Sequence, residues 1–171
     1  MDFQGIYQRL KSLDAPGLEG FDEPRPADKK AKDKGRSGNP YLKVDAQRLA
    51  EFLVVARDDE QLGFKVLIDI TASDPAADDE ELWILCELLS IENKHRVSIK
   101  GTLPKSGLSM PTTSKVHRAA NWHERECAEM YGITFVGHPD PRHILLPDDW
   151  KGFPMRKDYE FPTEYHGISC E

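Results

Sequence analysis

His123, Glu124 and Cys127 are the residues of this chain whose types and spacing come nearest to those of a metal-dependent hydrolase. On a helix, His123 and Cys127 lie one turn apart, so both could reach one Zn²⁺ while Glu124 acts as a general base. A catalytic zinc needs a third protein ligand, and the nearby histidines His117, His138 and His143 have no recognised spacing. A stand-alone metal hydrolase is therefore an alternative, and Cys127 as an ordinary helix-face residue is the simpler interpretation.

The same segment, residues 121–132, is dense in charge and also carries large apolar side chains. Helical spacing places Arg125 beside Glu129, and Glu126 beside Trp122. Exposed charge pairs on a helix contribute only about 0.2–0.5 kcal/mol each, whereas buried charges must be paired and hydrogen bonded. We expect this helix to bury its charges against complementary groups, which lie either in the C-terminal tail or on a second protein chain.

The tail that follows the helix is rich in proline and lacks the periodicity that builds a core. Proline stiffens an extended chain and cannot continue a helix. We therefore expect an extended arm that lies along another surface. The prolines and basic residues of this arm are Pro139, Pro141, Pro147, Pro154, Pro162, Arg142, Lys151, Arg156 and Lys157.

Composition limits the classes of function. The net charge of -7 argues against a general nucleic-acid binder, because phosphate binding needs a concentrated positive field. Cys86, Cys127 and Cys170 are widely spaced, which fits neither a disulfide framework nor a paired zinc motif and favours a reducing compartment. Familiar signatures such as Gly-x-Gly-x-x-Gly, the Walker lysine motif and Gly-x-Ser-x-Gly are absent.

No apolar run approaches the roughly 20 residues that cross a bilayer, and the first residues mix charged with apolar side chains, unlike a signal peptide. If the protein works at a membrane, we expect it to do so by docking onto another protein.

Hydrophobic periodicity predicts the elements that must position these residues. The period of a helix appears at 3–13, 44–57 and about 114–131, and alternation predicts a meander of three strands at 64–72, 82–91 and 97–103. This order predicts an α+β fold, with helices packed on one face of a small, mostly antiparallel sheet. The predicted divisions are an N-terminal helix at 1–14, a flexible basic linker at 15–40, an α+β core domain at 41–136 and an extended C-terminal arm at 137–171.

The predicted linker contains a basic cluster whose members are Arg25, Lys29, Lys30, Lys32, Lys34 and Arg36. A nucleic-acid or anionic-lipid arm is the alternative interpretation, but the cluster has no interleaved aromatic residues and includes Asp28 and Asp33. Charge runs without periodicity are usually spacers, so we interpret it as a solvated linker.

Residues in and after the predicted third helix carry a resemblance to a known family. The matching residues are Glu124-Arg125-Glu126, Glu129, Met130-Tyr131, Gly137-His138-Pro139, Arg142 and Ile144-Leu145. With this spacing the chain resembles the 30 kDa subunit family, or C subunit, of respiratory complex I, the proton-pumping NADH:quinone oxidoreductase. The similarity extends over roughly residues 44 to 160, including Leu67 to Ala72, Leu88 to Lys100 and Gly152 to Tyr159.

The resemblance implies a non-catalytic member of the hydrophilic arm that supports electron transfer from NADH to quinone. It would dock on the D subunit and on neighbouring proteins of the hydrophilic arm. The D subunit forms the quinone site together with its neighbour, and we call it the quinone-site subunit. The resemblance implies no cofactor in this chain, with FMN, iron-sulfur clusters and quinone bound by partners, and no nucleic-acid partner. Membrane association would be indirect, on the cytoplasmic side of the bacterial inner membrane. The interface residues that it implies are Glu124, Arg125, Glu126, Glu129, Gly137, His138, Pro139, Arg142, Arg156, Lys157 and Asp158.

The chain departs from the family pattern at a few positions. Glu129 stands where Asp is commoner, Pro141 where Leu is commoner and Phe153 where His is commoner. Energy-converting hydrogenases and other quinone- or ferredoxin-linked complexes use a similar subunit, so an equivalent subunit of such a complex is a further alternative.

Overall fold

A sheet of five strands organises the fold, which a computed structural model describes for residues 1–23, 39–77 and 79–170. The strands are β1 (Leu18–Asp22), β2 (Tyr41–Val44), β3 (Val66–Ser73), β4 (Glu81–Ser90) and β5 (His95–Pro104). They lie in the order β1-β2-β5-β4-β3. Strands β2 and β5 are parallel, and the other neighbouring pairs are antiparallel.

Helices and shorter strands surround this sheet. The helices are α1 (Phe3–Ser12), α2 (Leu49–Asp58) and α3 (Ala120–Tyr131), and a 3-10 turn (Ala46–Arg48) leads into α2. Strand β6 (Ser109–Pro111) pairs in parallel with β7 (Thr134–Val136), and β8 (Glu164–Tyr165) pairs with β9 (Ile168–Ser169) near the end of the chain.

The core lies on one face of the sheet, because side chains alternate across each strand. In β4, Leu82, Ile84, Cys86 and Leu88 are buried, while the residues that alternate with them are half-buried. Leu10 of α1 and Phe52 of α2 are fully buried in the same hydrophobic cluster. The α+β fold with a mostly antiparallel sheet is therefore confirmed, as is the meander formed by β3, β4 and β5.

Two strands of the five-stranded sheet were not predicted. Residues 18–22, which the sequence assigned to the flexible linker, form β1, so the linker prediction is wrong there. Phe21 anchors this short strand by packing on Phe3 and Tyr7 of α1, with ring centroids 5.8 and 4.7 Å apart. Strand β2 extends the sheet next to it. The basic cluster at 25–36 lies outside the described residues.

Two helices begin later in the chain than the sequence predicts. The Asp45 side chain accepts from the Gln47 N–H at 2.9 Å, as expected of a cap, but the residues it caps form the 3-10 turn that precedes α2. Helix α3 begins at Ala120, not near 114. The preceding residues form turns in which the Thr113 carbonyl accepts from Val116 and His117.

Residues 137–163 contain turns and bends but no helix or strand, and they follow β7 directly. We call residues 137–163 the arm. The boundaries of the four predicted divisions otherwise stay predictions.

Candidate functional site

The arm is attached to α3 at successive points along the helix. The helix ends at Gly132, whose φ of 77° lies in the left-handed region that glycine adopts without strain. Charged side chains of the helix and backbone groups of the arm form the contacts. These contacts form the candidate functional site.

Glu124 ties the first half of α3 to the segment before it. Its side chain is fully buried and accepts hydrogen bonds from the Thr112 hydroxyl and from both the N–H and the hydroxyl of Thr113, the latter two at 2.6 Å. Hydrogen bonds of this kind offset the cost of burying a carboxylate. Glu124 is therefore fully engaged within the chain.

His138 lies 3.9 Å from Glu124 and begins the arm. Its Nε2 lies 3.1 Å from the Asn121 carbonyl, and its Nδ1 accepts from the Asp140 N–H at 3.1 Å. Because Nδ1 accepts, Nε2 is the ring nitrogen that donates to the Asn121 carbonyl. Gly137, with a φ of 82°, makes the turn that brings this ring onto the helix.

Arg125 makes the next contact and is buried, with 9% of its side chain exposed. Its Nε donates to the Arg142 carbonyl at 2.8 Å, and its Nη2 donates to the His143 carbonyl at 3.2 Å. The guanidinium also lies 3.6 Å from Asp140 and 5.0 Å from the Trp122 ring centroid. Arg125 thus fixes the arm through two successive backbone carbonyls.

Arg142 points away from this contact and leaves 79% of its side chain exposed. It donates twice to the Asp140 carboxylate, at 2.7 and 2.8 Å. These hydrogen bonds, helped by the charge of Arg125, lower the pKa of Asp140 to about 2. Asp140 therefore stays ionised between two arginines.

Glu129, one turn after Arg125, binds the arm with its carboxylate. It accepts from three successive backbone N–H groups, those of Ile144, Leu145 and Leu146, at 3.0–3.1 Å. Its side chain is buried, so these donors replace the lost water. The contact holds residues 144–146 of the arm against the last turn of the helix.

The last contact covers the C-terminus of α3, where backbone carbonyls lack partners within the helix. Met155 N–H donates to the Met130 carbonyl at 3.1 Å, and Arg156 Nε donates to the Tyr131 carbonyl at 2.8 Å. The Arg156 cation also suits the negative end of the helix dipole. The Phe153 ring lies over Gly132, where a β-carbon would come within 2.6 Å of it.

Asp74, just after β3, anchors the same part of the arm from the other side. Its buried carboxylate pairs with Lys105 Nζ at 2.9 Å and accepts from the Lys157 N–H at 2.9 Å. Burial acts to raise the pKa of Asp74, but the hydrogen bonds from Lys105 and from Lys157 outweigh it, so the pKa lies below its ordinary value. The carboxylate is ionised at neutral pH.

The structure thus divides the predicted interface residues other than Gly137, which has no side chain, into two groups. The residues that bind within the chain through their side chains are Glu124, Arg125, Glu129, His138, Arg142 and Arg156. Those with exposed side chains and no side-chain hydrogen bond or ion pair in the described part of the chain are Glu126, Pro139, Lys157 and Asp158. Contact of either group with a second protein chain stays a prediction.

The structure does not bring the residues of the alternative zinc site together. His123 Nδ1 lies 3.1 Å from Asp69, Glu124 faces Thr112 and Thr113, and the Cys127 sulfur lies 3.6 Å from the Ile70 carbonyl. Burial raises the pKa of the Cys127 thiol, which opposes formation of a metal-binding thiolate. In the ranges that the structure describes, no three potential ligands form a metal-binding group.

Several residues of the site were not predicted. Asp74, Lys105 and Asp140 contact the arm or its anchors, and Thr112 with Thr113 binds Glu124. The adjacent threonines before a helix are a signal of local side-chain hydrogen bonding. Asp74 has no such signal, because its partner in the arm lies 83 residues away.

Comparison with known proteins places the chain in a family. Residues 42–165 match the family described as the respiratory-chain NADH dehydrogenase 30 kDa subunit. The chain belongs to this family, which confirms the resemblance seen in the sequence.

Individual relatives agree with this assignment. The C subunit of NADH-quinone oxidoreductase from Chlorobium phaeobacteroides is 40% identical over 131 residues, which are 75% of this chain and 78% of that protein. The corresponding protein from Chloroherpeton thalassium is 39% identical over 73% of this chain, but the match spans only 51% of that longer protein.

Two solved structures share the fold. One is a chain of the membrane-bound sulfane sulfur reductase, an archaeal respiratory membrane complex, which superposes with a TM-score of 0.68 at 24% sequence identity. The superposition covers 92% of this chain and 84% of the reductase chain. A trypsin-resistant fragment of Nqo5 superposes with a TM-score of 0.56 at 22% identity, over 82% of this chain and 99% of the fragment. Across the described ranges, no helix has the length and apolar character needed to span a bilayer.

Proposed function

We propose that this chain is a non-catalytic peripheral-arm subunit of a proton-translocating NADH:quinone oxidoreductase. The observation that carries the proposal is the network in which Glu124, Arg125 and Glu129 bind the chain's own backbone and threonines. These residues belong to the family signature, and their side chains serve to position backbone: Arg125 and Glu129 hold the arm, and Glu124 holds the segment before α3. The function that fits this geometry is to hold the arm in place for a partner.

The cysteines support a protein without redox centres of its own. Cys86 and Cys127 are buried, and burial raises the pKa of both thiols. An iron-sulfur cluster commonly needs four thiolates, and this chain has three cysteines at distant positions. FMN, the iron-sulfur clusters and quinone would then be bound by partner proteins of the complex.

We propose the quinone-site subunit as the partner, on the cytoplasmic side of the bacterial inner membrane, with the membrane reached only through the complex. The exposed side chains of Glu126, Arg142, Lys157 and Asp158 would contact it directly. The buried residues would act indirectly, because they fix the course of the arm that carries some of these side chains.

Purification of the native complex tests this proposal. The tagged chain, extracted from its own membranes in a mild detergent, should co-purify with the quinone-site subunit and the flavin-binding subunit, together with NADH:quinone reductase activity. Co-purification with the subunits of a hydrogenase would instead favour the related energy-converting complex. A chain that elutes without partner proteins would refute both assignments.

A further inference from the structure

The arm is bound to α3 and its surroundings mainly through its own backbone. The N–H groups of Leu145, Met155 and Lys157 and the carbonyl of Arg142 all make contacts with the body of the protein. Because the backbone faces the body, apolar side chains of the arm are left outside. Leu145 is 61% exposed and Met155 is 53% exposed.

The outer face of α3 continues this surface. Trp122, Glu126 and Met130 are spaced by four residues and therefore lie along one side of the helix. Trp122 is 62% exposed, Glu126 is exposed and Met130 is half-buried. We call Trp122, Glu126, Met130, Leu145 and Met155 the outer strip.

Two hydrogen bonds show that the helix and arm parts of the outer strip adjoin. The Leu145 N–H binds Glu129, which precedes Met130, and the Met155 N–H binds the Met130 carbonyl itself. The helical part spans about 12 Å, at 1.5 Å per residue. Exposed apolar side chains gathered in this way mark a surface for binding another molecule.

The outer strip carries one charge with no partner nearby. Glu126 makes no hydrogen bond or ion pair with any residue that the structure describes, whereas Glu124 and Glu129 each accept at least three hydrogen bonds. A partner that covers the flanking Trp122 and Met130 would also remove water from Glu126. A buried carboxylate left without donors is strongly destabilising. The donors of this chain satisfy Glu124 and Glu129, but none that the structure describes reaches Glu126, so the partner must supply them. An Arg or Lys side chain supplies several donors together with the compensating charge.

We infer that the outer strip docks a neighbouring protein of the same complex through an apolar segment of that protein bearing one Arg or Lys opposite Glu126. The inference rests on the proposed function and deepens it, because it specifies the chemistry of the partner. Trp122 is the expected anchor, since Trp is enriched among the residues that dominate binding.

Charge reversal tests this inference in the native complex. Glu126→Lys and Trp122→Ala should each lower the amount of chain recovered with the complex by roughly tenfold or more. Glu19→Lys is the matched control, because Glu19 is exposed on β1, at the opposite edge of the sheet from β3 and α3. It should be recovered like the unaltered chain.

A photo-reactive amino acid at position 126 then identifies the partner residue. The cross-linked peptide should come from one protein and contain an Arg or Lys among apolar residues, and changing that residue to Glu should restore recovery of Glu126→Lys. If Glu126→Lys and Trp122→Ala are recovered like the unaltered chain, the inference is wrong while the proposed function stands. If the unaltered chain recovers no other proteins of the complex, the proposed function itself fails.

Discussion

Arg125 binds the backbone of Arg142, donating from its Nε to the Arg142 carbonyl at 2.8 Å. The Arg142 side chain turns outward and pairs with Asp140, which also lies 3.6 Å from the Arg125 guanidinium. Two arginines are thus held around one carboxylate at the point where the arm crosses α3. This contact keeps the backbone of the arm inside and its side chains outside.

Removing the Arg125 guanidinium should expose the arm to trypsin after Arg142. Hydrogen bonds to a charged group are worth about 1.5–3 kcal/mol each, so Arg125→Met should make local opening roughly tenfold or more frequent. Time-resolved limited proteolysis measures the rate of cleavage after Arg142. Arg118→Met, at an exposed position before α3, is the control and should leave that rate unchanged. Equal rates in both variants would contradict the role given to Arg125.

Neutralising Glu129 should release the turn of the arm at Ile144 to Leu146. Glu129→Gln replaces one acceptor oxygen by an NH₂ group that cannot accept from a backbone N–H. We expect a loss of about 2 kcal/mol in local stability, seen as faster hydrogen exchange of these three amides. Glu126→Gln, one turn earlier and exposed, should not change their exchange. Unchanged protection in Glu129→Gln would show that another contact holds the turn.

Gly132→Ala should destabilise the protein for two separable reasons. The left-handed φ of 77° costs a residue with a β-carbon about 1–2 kcal/mol, and the new β-carbon would meet the Phe153 ring at 2.6 Å. Combining it with Phe153→Ala should remove the collision but not the backbone cost. Denaturant unfolding measures both free energies. Gly107→Ala, where no atom lies within 4 Å of the added β-carbon, is the control.

The contribution of the Asp74 carboxylate to the free energy of unfolding should depend on pH only at acidic pH. The pKa of Asp74 in the folded protein lies below its ordinary value of about 3.9. A lowered pKa means that the carboxylate contributes stability above the unfolded pKa and loses that contribution as pH falls through the folded pKa. The difference in unfolding free energy between the unaltered chain and Asp74→Asn should therefore be constant from pH 5 to 8 and shrink below about pH 4. A difference that shrinks between pH 8 and 6 would refute this assignment.

Metal analysis separates the proposed function from the alternative hydrolase. His123, Glu124 and Cys127 have different partners, so the purified chain should bind no stoichiometric zinc. Elemental analysis after equilibration with zinc gives the measurement, with the double variant His123→Ala/Cys127→Ser as reference. One zinc per chain that is lost in the double variant would reinstate the hydrolase.

Sequence periodicity predicted the elements whose apolar residues are regularly spaced. Strands β4 and β5 have ten residues each and α1 buries Ile6 and Leu10 at helical spacing, so their patterns are long enough to recognise. Strands β1 and β2 have five and four residues, and β1 is held by the packing of Phe21 on another element. Such tertiary support leaves no periodic pattern in the strand itself.

The sequence predicts that the charges of α3 are paired, but it does not identify the groups that pair with them. The charges of α3 were expected to be paired, and the structure shows that Arg125 and Glu129 bind backbone groups of the arm. Every residue offers a backbone N–H or carbonyl, so the sequence alone does not identify which ones a buried charge will bind. Glu126 is exposed because it lies on the outer face of α3, whereas Glu124 and Glu129 face groups of the same chain.

Membranes that carry Arg125→Glu or Arg142→Glu in this chain show whether the arm supports quinone reduction by the complex. The measurement is the rate of NADH oxidation with quinone as the electron acceptor and, in the same membranes, with an artificial acceptor that takes electrons at the flavin. If the chain has the proposed role beside the quinone site, quinone reduction should fall while oxidation of NADH by the artificial acceptor is retained. Full quinone reduction in a normally assembled complex with both variants would contradict it.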